Sequence, residues 1–268
     1  MSAYLRELED RSIAIIRETW ASFEKPALLW SVGKDSSVLL WLIRKAFLGK
    51  VPIPCVHVDT RYKLSEMIAF RDHLASQWQL DLVTSPPSPE FLEGNTYPTG
   101  KLSRVECCNA LKSEPLKGLV ASHGWDALIL GIRRDEEGTR AKERVFSPRD
   151  SESRWNPSDQ PVEIWGHYTR PPNGHMRVHP LLDWTELDVW RYILLESIPV
   201  VDLYFSKDGK RYRSLGCAPC TFPHDSNAQT VPEIIAELEA LRSSERHGRA
   251  QDKERESAFE ELRNRGYM

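Results

Sequence analysis

A short apolar run that passes directly into a small polar loop constrains the fold of this chain more than any other feature. Residues 26–30 read PALLW, residues 31–37 read SVGKDSS, and residues 38–47 are apolar on most faces. The first run predicts a buried strand and the last a buried helix. A tight turn between them points backbone N–H groups and the positive end of the helix at one place. The sequence therefore predicts a loop that binds an anion.

The side chains of this loop suit the same role. Gly33 lets the backbone approach an anion closely, Lys34 supplies a positive charge, and Ser31, Ser36 and Ser37 add hydroxyl donors. The pattern G-x-x-x-x-G-K-[ST] is absent, so this is not a Walker A loop. The alternative is an ordinary strand-to-helix turn with polar residues at chance positions.

Further apolar runs predict the rest of the fold. Strands are expected over residues 53–58, 80–84 and 127–130, and helices over residues 4–23 and 64–78, with a charged helical segment from Val231 onward. Strands that alternate with helices form a parallel sheet covered on both faces. We therefore predict an α/β fold with a twisted parallel sheet and a C-terminal helical extension. Residues 134–180 show little periodicity, which predicts either a long functional loop or a disordered one.

The polar loop resembles the SGGKDS loop of the PP-loop ATP pyrophosphatases, with Val32 in place of the second glycine. Asp59 and Gly131 end two other predicted strands, at the sheet edge where open α/β folds bind ligands. The resemblance implies that residues 31–37, Asp59 and Gly131 bind ATP, which is cleaved between its α- and β-phosphates. Lys34 and Asp35 are then catalytic, with Asp35 and Asp59 as candidates for contacting Mg²⁺ or the nucleotide.

A basic segment follows the predicted strand at 127–130. Its five cations are Arg133, Arg134, Arg140, Lys142 and Arg144. Guanidinium groups bind phosphate and other oxyanions through two parallel hydrogen bonds. We interpret Arg133, Arg134 and Arg144 as catalytic residues that hold the acceptor or neutralise charge. The alternative is a solvated helix face with ion pairs between its cations and the acids among them.

Nearly the whole chain resembles the small subunits of bacterial sulfate adenylyltransferase. The segments that carry this resemblance are residues 131–150, 154–157, 178–190, 226–235 and 244–249. It implies transfer of AMP to sulfate and a GTPase large subunit as partner. The chain lacks the insertion that these subunits usually have after Tyr204, which weakens the prediction of that partner.

Four of the five cysteines form two close pairs, Cys107 with Cys108 and Cys217 with Cys220. This arrangement resembles the ligands of the [4Fe–4S] cluster in assimilatory adenylyl-sulfate reductases, which implies such a cluster here. A zinc site or four ordinary buried thiols are the alternatives. Cys55 lies within a predicted strand and is interpreted as core. No cysteine follows Cys220, and the reductases need a C-terminal thiol as nucleophile, so a reductase acting alone is not expected.

Three functions follow from these patterns. The preferred one is an ATP pyrophosphatase that carries a [4Fe–4S] cluster and activates an oxyanion for sulfur transfer, as in DNA phosphorothioation. Its expected partners are a cysteine desulfurase and DNA-acting subunits, with a DNA backbone phosphate as acceptor. The alternative is a sulfate adenylyltransferase small subunit, and the third is a scaffold that binds nucleotide without catalysis.

Composition limits the setting in which the chain works. The 268 residues have a formal net charge of −3, which argues against coating nucleic acid without other subunits. No apolar run approaches the roughly 20 residues that span a membrane, and we expect a cytoplasmic protein. We predict an ATP-binding domain over residues 1–200 and a cysteine-containing helical extension over 201–268. A homodimer is one candidate assembly.

Overall fold

The computed structural model describes residues 2–156 and 169–240. The predicted motif at 154–157 lies partly outside these residues, and the motif at 244–249 lies wholly outside them. Within the described residues a six-stranded sheet has the order β3-β2-β1-β4-β6-β5. Its strands are β1 Pro26–Leu29, β2 Cys55–His57, β3 Leu82–Thr84, β4 Ala127–Ile129, β5 Phe146–Arg149 and β6 His175–Val178. All neighbouring pairs are parallel except β5 with β6.

Helices connect and cover these strands. The longer ones are α1 Ala3–Ser22, α2 Lys34–Ala46, α3 Ser65–Gln77, α6 Glu114–His123, α8 Glu186–Glu196 and α9 Val231–Ala240. Three short helices are α4 Pro89–Leu92, α5 Arg104–Cys108 and α7 Gly138–Ala141, and a π-helical turn, Asn109–Ser113, joins α5 to α6. A small antiparallel pair is formed by β7 Lys210–Arg211 and β8 His224–Asp225. None of the described helices is long and apolar enough to cross a membrane.

The core lies on both faces of the sheet, as strand β1 illustrates. Successive side chains of a strand point to opposite faces. Leu28 belongs to one apolar cluster, together with residues of α1, α2 and α8, whereas Ala27 and Leu29 belong to a second cluster with Leu116 and Leu119 of α6. The prediction of a mostly parallel sheet with helices on both faces is therefore confirmed. The domain boundary after residue 200 stays a prediction.

Two details of the sequence prediction were wrong. Helix α2 begins at Lys34, so residues 34–37 form its first turn instead of a preceding loop. The segment 134–180 contains strands β5 and β6, although it was predicted to be a loop. The sequence pattern does not predict these strands because they bury charged residues. Arg149 and Arg177 are both about as buried as the leucines of β1. Buried arginines break the apolar pattern that identifies a strand.

Candidate active site

The polar loop joins the carboxyl end of β1 to α2, and its backbone is held in an unusual conformation. Val32 has a φ of 68° and is buried in the core, so a β-branched residue occupies the left-handed region here. The Ser36 hydroxyl donates to the carbonyl oxygen of Gly33 at 3.0 Å and lies 3.1 Å from the hydroxyl of Ser31. The first N–H groups of α2 therefore stand at a fixed place above the strand ends.

A cavity, here called the loop cavity, opens over this turn. Its apolar lining includes Leu29, Val56, Val58, Leu130 and Ile132. Its charged lining contains two carboxylates, Asp35 and Glu136, and four cations, Lys34, Lys63, Lys112 and Arg140. Gly131 is part of the wall, and a Cβ there would lie 3.0 Å from the backbone of Asp35 and Ser36. A side chain at this position would therefore push β4 away from the first turn of α2.

Lys34 is the most enclosed of the four cations, with 1% of its surface exposed. Its ammonium group lies 3.6 Å from Asp35 and 3.7 Å from Glu186, and it donates to the backbone oxygen of Arg213 at 3.2 Å. Its backbone N–H donates to the hydroxyl of Tyr204 at 2.8 Å. Glu186, Arg213 and Tyr204 were not among the predicted site residues. They lie 150 or more positions away in the chain, and no local pattern marks them.

Lys34 is one member of a closed ring of charged groups. Asp35 pairs with Arg133, whose Nε donates to Asp135 at 2.9 Å. The other oxygen of Asp135 accepts from the backbone N–H of Glu186 at 2.8 Å, and Glu186 returns to Lys34. The guanidinium of Arg213 also binds Glu186, at 2.7 and 3.0 Å. Three cations and three carboxylates therefore hold one another beside the loop.

The predicted acceptor-binding arginines lie in several places. Arg133 is buried in the ring, and Arg134 pairs with Asp183 outside the loop cavity. Arg140 lines the cavity and pairs with Glu136 and Glu137. Arg144 contributes its backbone, whose oxygen lies 2.6 Å from Nδ1 of His179. Much of the basic segment is thus occupied by ion pairs, and a role of Arg133, Arg134 and Arg144 toward an acceptor stays a prediction.

Asp59 stands at the carboxyl end of β2, next to the cavity-lining Val58. It accepts from the backbone N–H of Arg61 at 2.8 Å and pairs with the Arg61 guanidinium at 3.4 Å. Its own N–H donates to the hydroxyl of Ser85 at 2.9 Å. In this structure Asp59 holds the turn after β2.

A second, smaller cavity, here called the thiol cavity, lies beside the first. Cys107, Cys108, Cys217 and Cys220 all line it, although the two pairs are about a hundred positions apart. Burial raises the pKa of Cys107 and raises that of Cys220 to about 11. Four thiols are the donor set of a zinc or iron–sulfur site. As they lie, however, no group of three or more His, Cys, Asp or Glu among the described residues is arranged to hold a metal ion, so the structure does not support the predicted [4Fe–4S] cluster.

The two cavities share a wall. Lys112, on the π-helical turn, lines both of them. Gly216 lines the loop cavity and its neighbour Cys217 lines the thiol cavity. Cys217 Sγ also lies 3.2 Å from the hydroxyl of Thr60, which follows β2. Thus the predicted nucleotide loop and the predicted cysteine site belong to one continuous region of the molecule.

Comparisons with known proteins place the chain among adenylate-handling enzymes. Residues 25–223 match the family described as the phosphoadenosine phosphosulfate reductase domain. The chain is 42% identical to sulfate adenylyltransferase subunit 2 of Pseudomonas paraeruginosa and 43% identical to that of Shewanella loihica, over 99% of this chain and 98% of each relative. The first alignment spans 302 positions, more than the 268 of this chain, so the relative contains residues with no counterpart here.

Solved structures share the fold at low sequence identity. Phosphoadenylyl-sulfate reductase from Candida auris has a TM-score of 0.56 and 16% identity, over 83% of this chain and 98% of that one. FMN adenylyltransferase from Candida glabrata, solved with ATP, has a TM-score of 0.58 and 17% identity, over 99% and 83% of the two chains. At such identities the likeness concerns the fold alone.

Proposed function

The chain belongs to the phosphoadenosine phosphosulfate reductase domain family, and we propose that within it this protein is an adenylyl-transfer enzyme that joins AMP from ATP to sulfate. A sulfate oxygen attacks the α-phosphorus, the bond to the bridging oxygen breaks, and pyrophosphate leaves with the electron pair. The products are adenylyl sulfate and pyrophosphate. The observation that carries this proposal is the buried Lys34 at the start of α2, facing a cavity at the carboxyl ends of parallel strands.

The residues around the loop cavity suit the leaving group. Lys34, Ser31 and Ser36 line the cavity at the first turn of α2, where pyrophosphate would develop its charge, and fixed donors stabilise such charge strongly. Asp35 and Glu136 supply the carboxylate oxygens that Mg²⁺ prefers and would hold that ion. Bound Mg²⁺ neutralises phosphate charge during phosphoryl and adenylyl transfer. The apolar part of the lining suits an adenine ring.

The relatives' name, subunit 2, indicates that they act in a complex. We extend this to a partner subunit for the present chain, and the resemblance makes a GTPase the first partner to test. The relatives contain residues that have no counterpart in this chain. The way in which a partner subunit docks therefore has to be tested separately.

The test is to follow α-³²P- and γ-³²P-labelled ATP with sulfate, alone and with a relative's partner subunit. We expect labelled adenylyl sulfate and intact pyrophosphate. The variant Lys34→Met should release pyrophosphate about 100-fold more slowly, in the range seen when one charge-stabilising donor is removed. Its control is Lys45→Met on the same helix, where Lys45 pairs with Glu9 and Glu196 away from the cavity. Formation of ADP and phosphate would contradict α–β cleavage.

A second candidate function rests on the thiol cavity beside the loop cavity. Here the acceptor is a DNA backbone phosphate, one oxygen of which attacks the α-phosphorus of ATP while pyrophosphate leaves. A sulfide-level nucleophile then attacks the DNA phosphorus, and AMP leaves with that oxygen and its electron pair. The partners would be a cysteine desulfurase that supplies persulfide sulfur, a thiol reductant that provides the two electrons to release it as sulfide, and DNA-acting subunits. The four cysteines would hold the predicted [4Fe–4S] cluster. The observation behind this candidate is the convergence of the four cysteines on one cavity, although as they lie they are not arranged to hold a metal ion.

The two candidates separate in a metal analysis of protein purified without oxygen. About four irons and four sulfides per chain, lost when Cys107, Cys108, Cys217 and Cys220 are changed to Ser, would favour sulfur transfer. Zinc alone would indicate a structural site. Protein free of iron and zinc, yet active with sulfate, would leave the first candidate.

A further inference from the structure

The carboxylate of Glu237 lies at the centre of a polar network that ties helix α9 to the β7–β8 hairpin. Its Oε1 accepts from the guanidinium of Arg211 at 2.7 Å and lies 3.2 Å from Nε2 of His224. Its Oε2 accepts from the hydroxyl of Ser226. Although burial raises the pKa of Glu237, the hydrogen bonds from these three side chains lower it overall. The group is therefore an ionised carboxylate at neutral pH, with partners on or next to both strands of the hairpin.

Arg211 is the buried partner in this network. Its side chain has 0% of its surface exposed, whereas that of Glu237 is 23% exposed. Its Nε also donates to the hydroxyl of Ser226 at 3.2 Å, and a terminal nitrogen donates to the backbone oxygen of Tyr212 at 3.3 Å. Removing one partner of a buried ion pair is strongly destabilising, because the other charge is left uncompensated. Without Glu237, β7 would therefore have to shift so that the guanidinium of Arg211 could reach water.

The residues that follow Arg211 form part of the wall of the loop cavity. Two positions further on, the backbone oxygen of Arg213 accepts from the ammonium group of Lys34 at 3.2 Å. The guanidinium of Arg213 binds Glu186, which also pairs with Lys34. Residues 214–216 then line the cavity directly. A shift of β7 would therefore move both this wall and a hydrogen-bond acceptor of Lys34.

Helix α9 itself lies outside the loop cavity, because none of its residues is among the described residues that line it. The helix packs against α8, where Glu239 binds Arg191 at 2.7 Å. Both of these side chains are about half exposed, and an ion pair of this kind contributes little to stability. Glu237 and Glu239 are thus two carboxylates on one helix, and only the pairing of Glu237 continues through a buried arginine to the cavity wall.

We propose that Glu237 is a positioning residue for ATP binding, which acts through Arg211 on the wall formed by residues 213–216. The inference rests on the proposed adenylyl transfer for the identity of the nucleotide, and it adds a residue outside the cavity on which nucleotide affinity depends. The effect falls on affinity more than on bond breaking, because Lys34 keeps its two ion pairs when Glu237 is removed.

The test measures binding of a non-hydrolysable ATP analogue to the full-length protein by calorimetry, at a temperature where every variant is folded. We expect Glu237→Ala to weaken this binding about tenfold, within the range of couplings carried through packed networks. Glu237→Gln keeps an oxygen acceptor in the same place and should weaken it less. With ATP as substrate, KM should rise in the same order while kcat for pyrophosphate release changes less than about threefold. A purely structural role would lower the melting temperature without this split between KM and kcat.

The matched control is Glu239→Ala on the same helix, which removes the ion pair with Arg191 and should change affinity for the analogue less than about twofold. Ser226→Ala is a second, milder variant in case Glu237→Ala does not fold. It removes the hydroxyl that joins Glu237 to Arg211 and should weaken analogue binding about threefold.

Two results would overturn the inference. In the first, the folded variants of Glu237 and Ser226 bind the analogue as tightly as the unchanged protein. In the second, Glu239→Ala loses as much affinity as Glu237→Ala, which would assign the loss to general destabilisation of α9. Failure of the proposed function is a different result: the unchanged protein makes no adenylyl sulfate, while the variants still differ in affinity for the analogue as expected.

Discussion

The ammonium group of Lys34 lies 3.7 Å from a carboxylate oxygen of Glu186, which is the first residue of α8 and 152 positions further along the chain. Glu186 also binds the guanidinium of Arg213 through two nitrogens. Both partners are cations, so the carboxylate balances charge on two sides. Glu186 is therefore a positioning residue that keeps Lys34 directed at the loop cavity.

Replacing Glu186 by Gln should misplace Lys34 and leave two cations without their balancing charge. We expect kcat for pyrophosphate release to fall about tenfold to 100-fold, because small displacements of a catalytic group cost rate in that range. The matched control is Glu196→Gln on the same helix, which removes a partner of Lys45 and should leave kcat within twofold. Equal loss in both variants would assign the effect to general destabilisation of α8.

The hydroxyl of Tyr204 accepts the backbone N–H of Lys34 at 2.8 Å, and Tyr204 lines the loop cavity. In Tyr204→Phe that buried N–H loses this partner, which costs about 1–3 kcal/mol. We expect a lower melting temperature together with weaker ATP binding. The control is Tyr192→Phe, which removes a buried hydroxyl that binds Glu9. This variant should lower stability without changing the affinity for ATP.

Two buried histidines predict loss of stability in mild acid. Burial lowers the pKa of His57 and of His179 to about 4. Nδ1 of His57 lies 3.0 Å from the backbone oxygen of Trp30, and Nδ1 of His179 lies 2.6 Å from that of Arg144. Their pKa in the unfolded chain is about 6.5. Between those values the unfolded chain binds protons that the folded chain does not, so stability present above pH 6.5 is lost as the pH falls toward 4. Each histidine contributes on the order of 3 kcal/mol to this loss.

Urea unfolding at several pH values between 4 and 7 measures this dependence. His57→Gln should reduce the slope of unfolding free energy against pH, although it also lowers stability at pH 7. Substituting the exposed His73 in the same way should leave the slope unchanged. A slope that is the same in all three proteins would contradict the assignment to His57.

The Cys220 thiol should be slow to react in metal-free protein. With a pKa of about 11, Cys220 is almost entirely protonated at pH 8, and the thiolate is the nucleophile. Its alkylation by iodoacetamide, followed by peptide mass spectrometry, should accelerate roughly tenfold per pH unit up to about pH 11. Cys55, whose pKa burial raises to about 12, should remain unmodified while the protein is folded. Rapid labelling of Cys220 at pH 7 would contradict this.

Local pattern was enough to predict the strand–loop–helix at residues 26–47, because a buried parallel strand and the helix after it are both apolar. It was not enough for β5 and β6, where Arg149 and Arg177 are buried and hide the strand signal. The site showed the same division. Lys34 lies in a recognisable loop, whereas Glu186 and Tyr204 come close to it only when distant segments fold together. The spacing of residues along the chain does not predict such contacts.

The cysteines illustrate a further limit. Their two close pairs were enough to suggest a common site, and the structure places all four around one cavity. Nothing in the sequence indicated that this cavity shares Lys112 with the loop cavity, because the π-turn that carries Lys112 has no sequence signature of its own. The number of arginines in the basic segment suggested an oxyanion ligand, and the structure shows that Arg133, Arg134 and Arg140 also pair with acids. Their role toward an acceptor stays a prediction.

Val32 has one more consequence. Its left-handed backbone costs about 1–2 kcal/mol in a residue with a side chain, and burial of that side chain offsets about 1.5–3 kcal/mol. A glycine there would avoid the strain and would also free the turn from the core. With valine, the turn is anchored before any nucleotide arrives. Its conformational entropy is therefore lost during folding of the chain, so that ATP binding orders little backbone at this position.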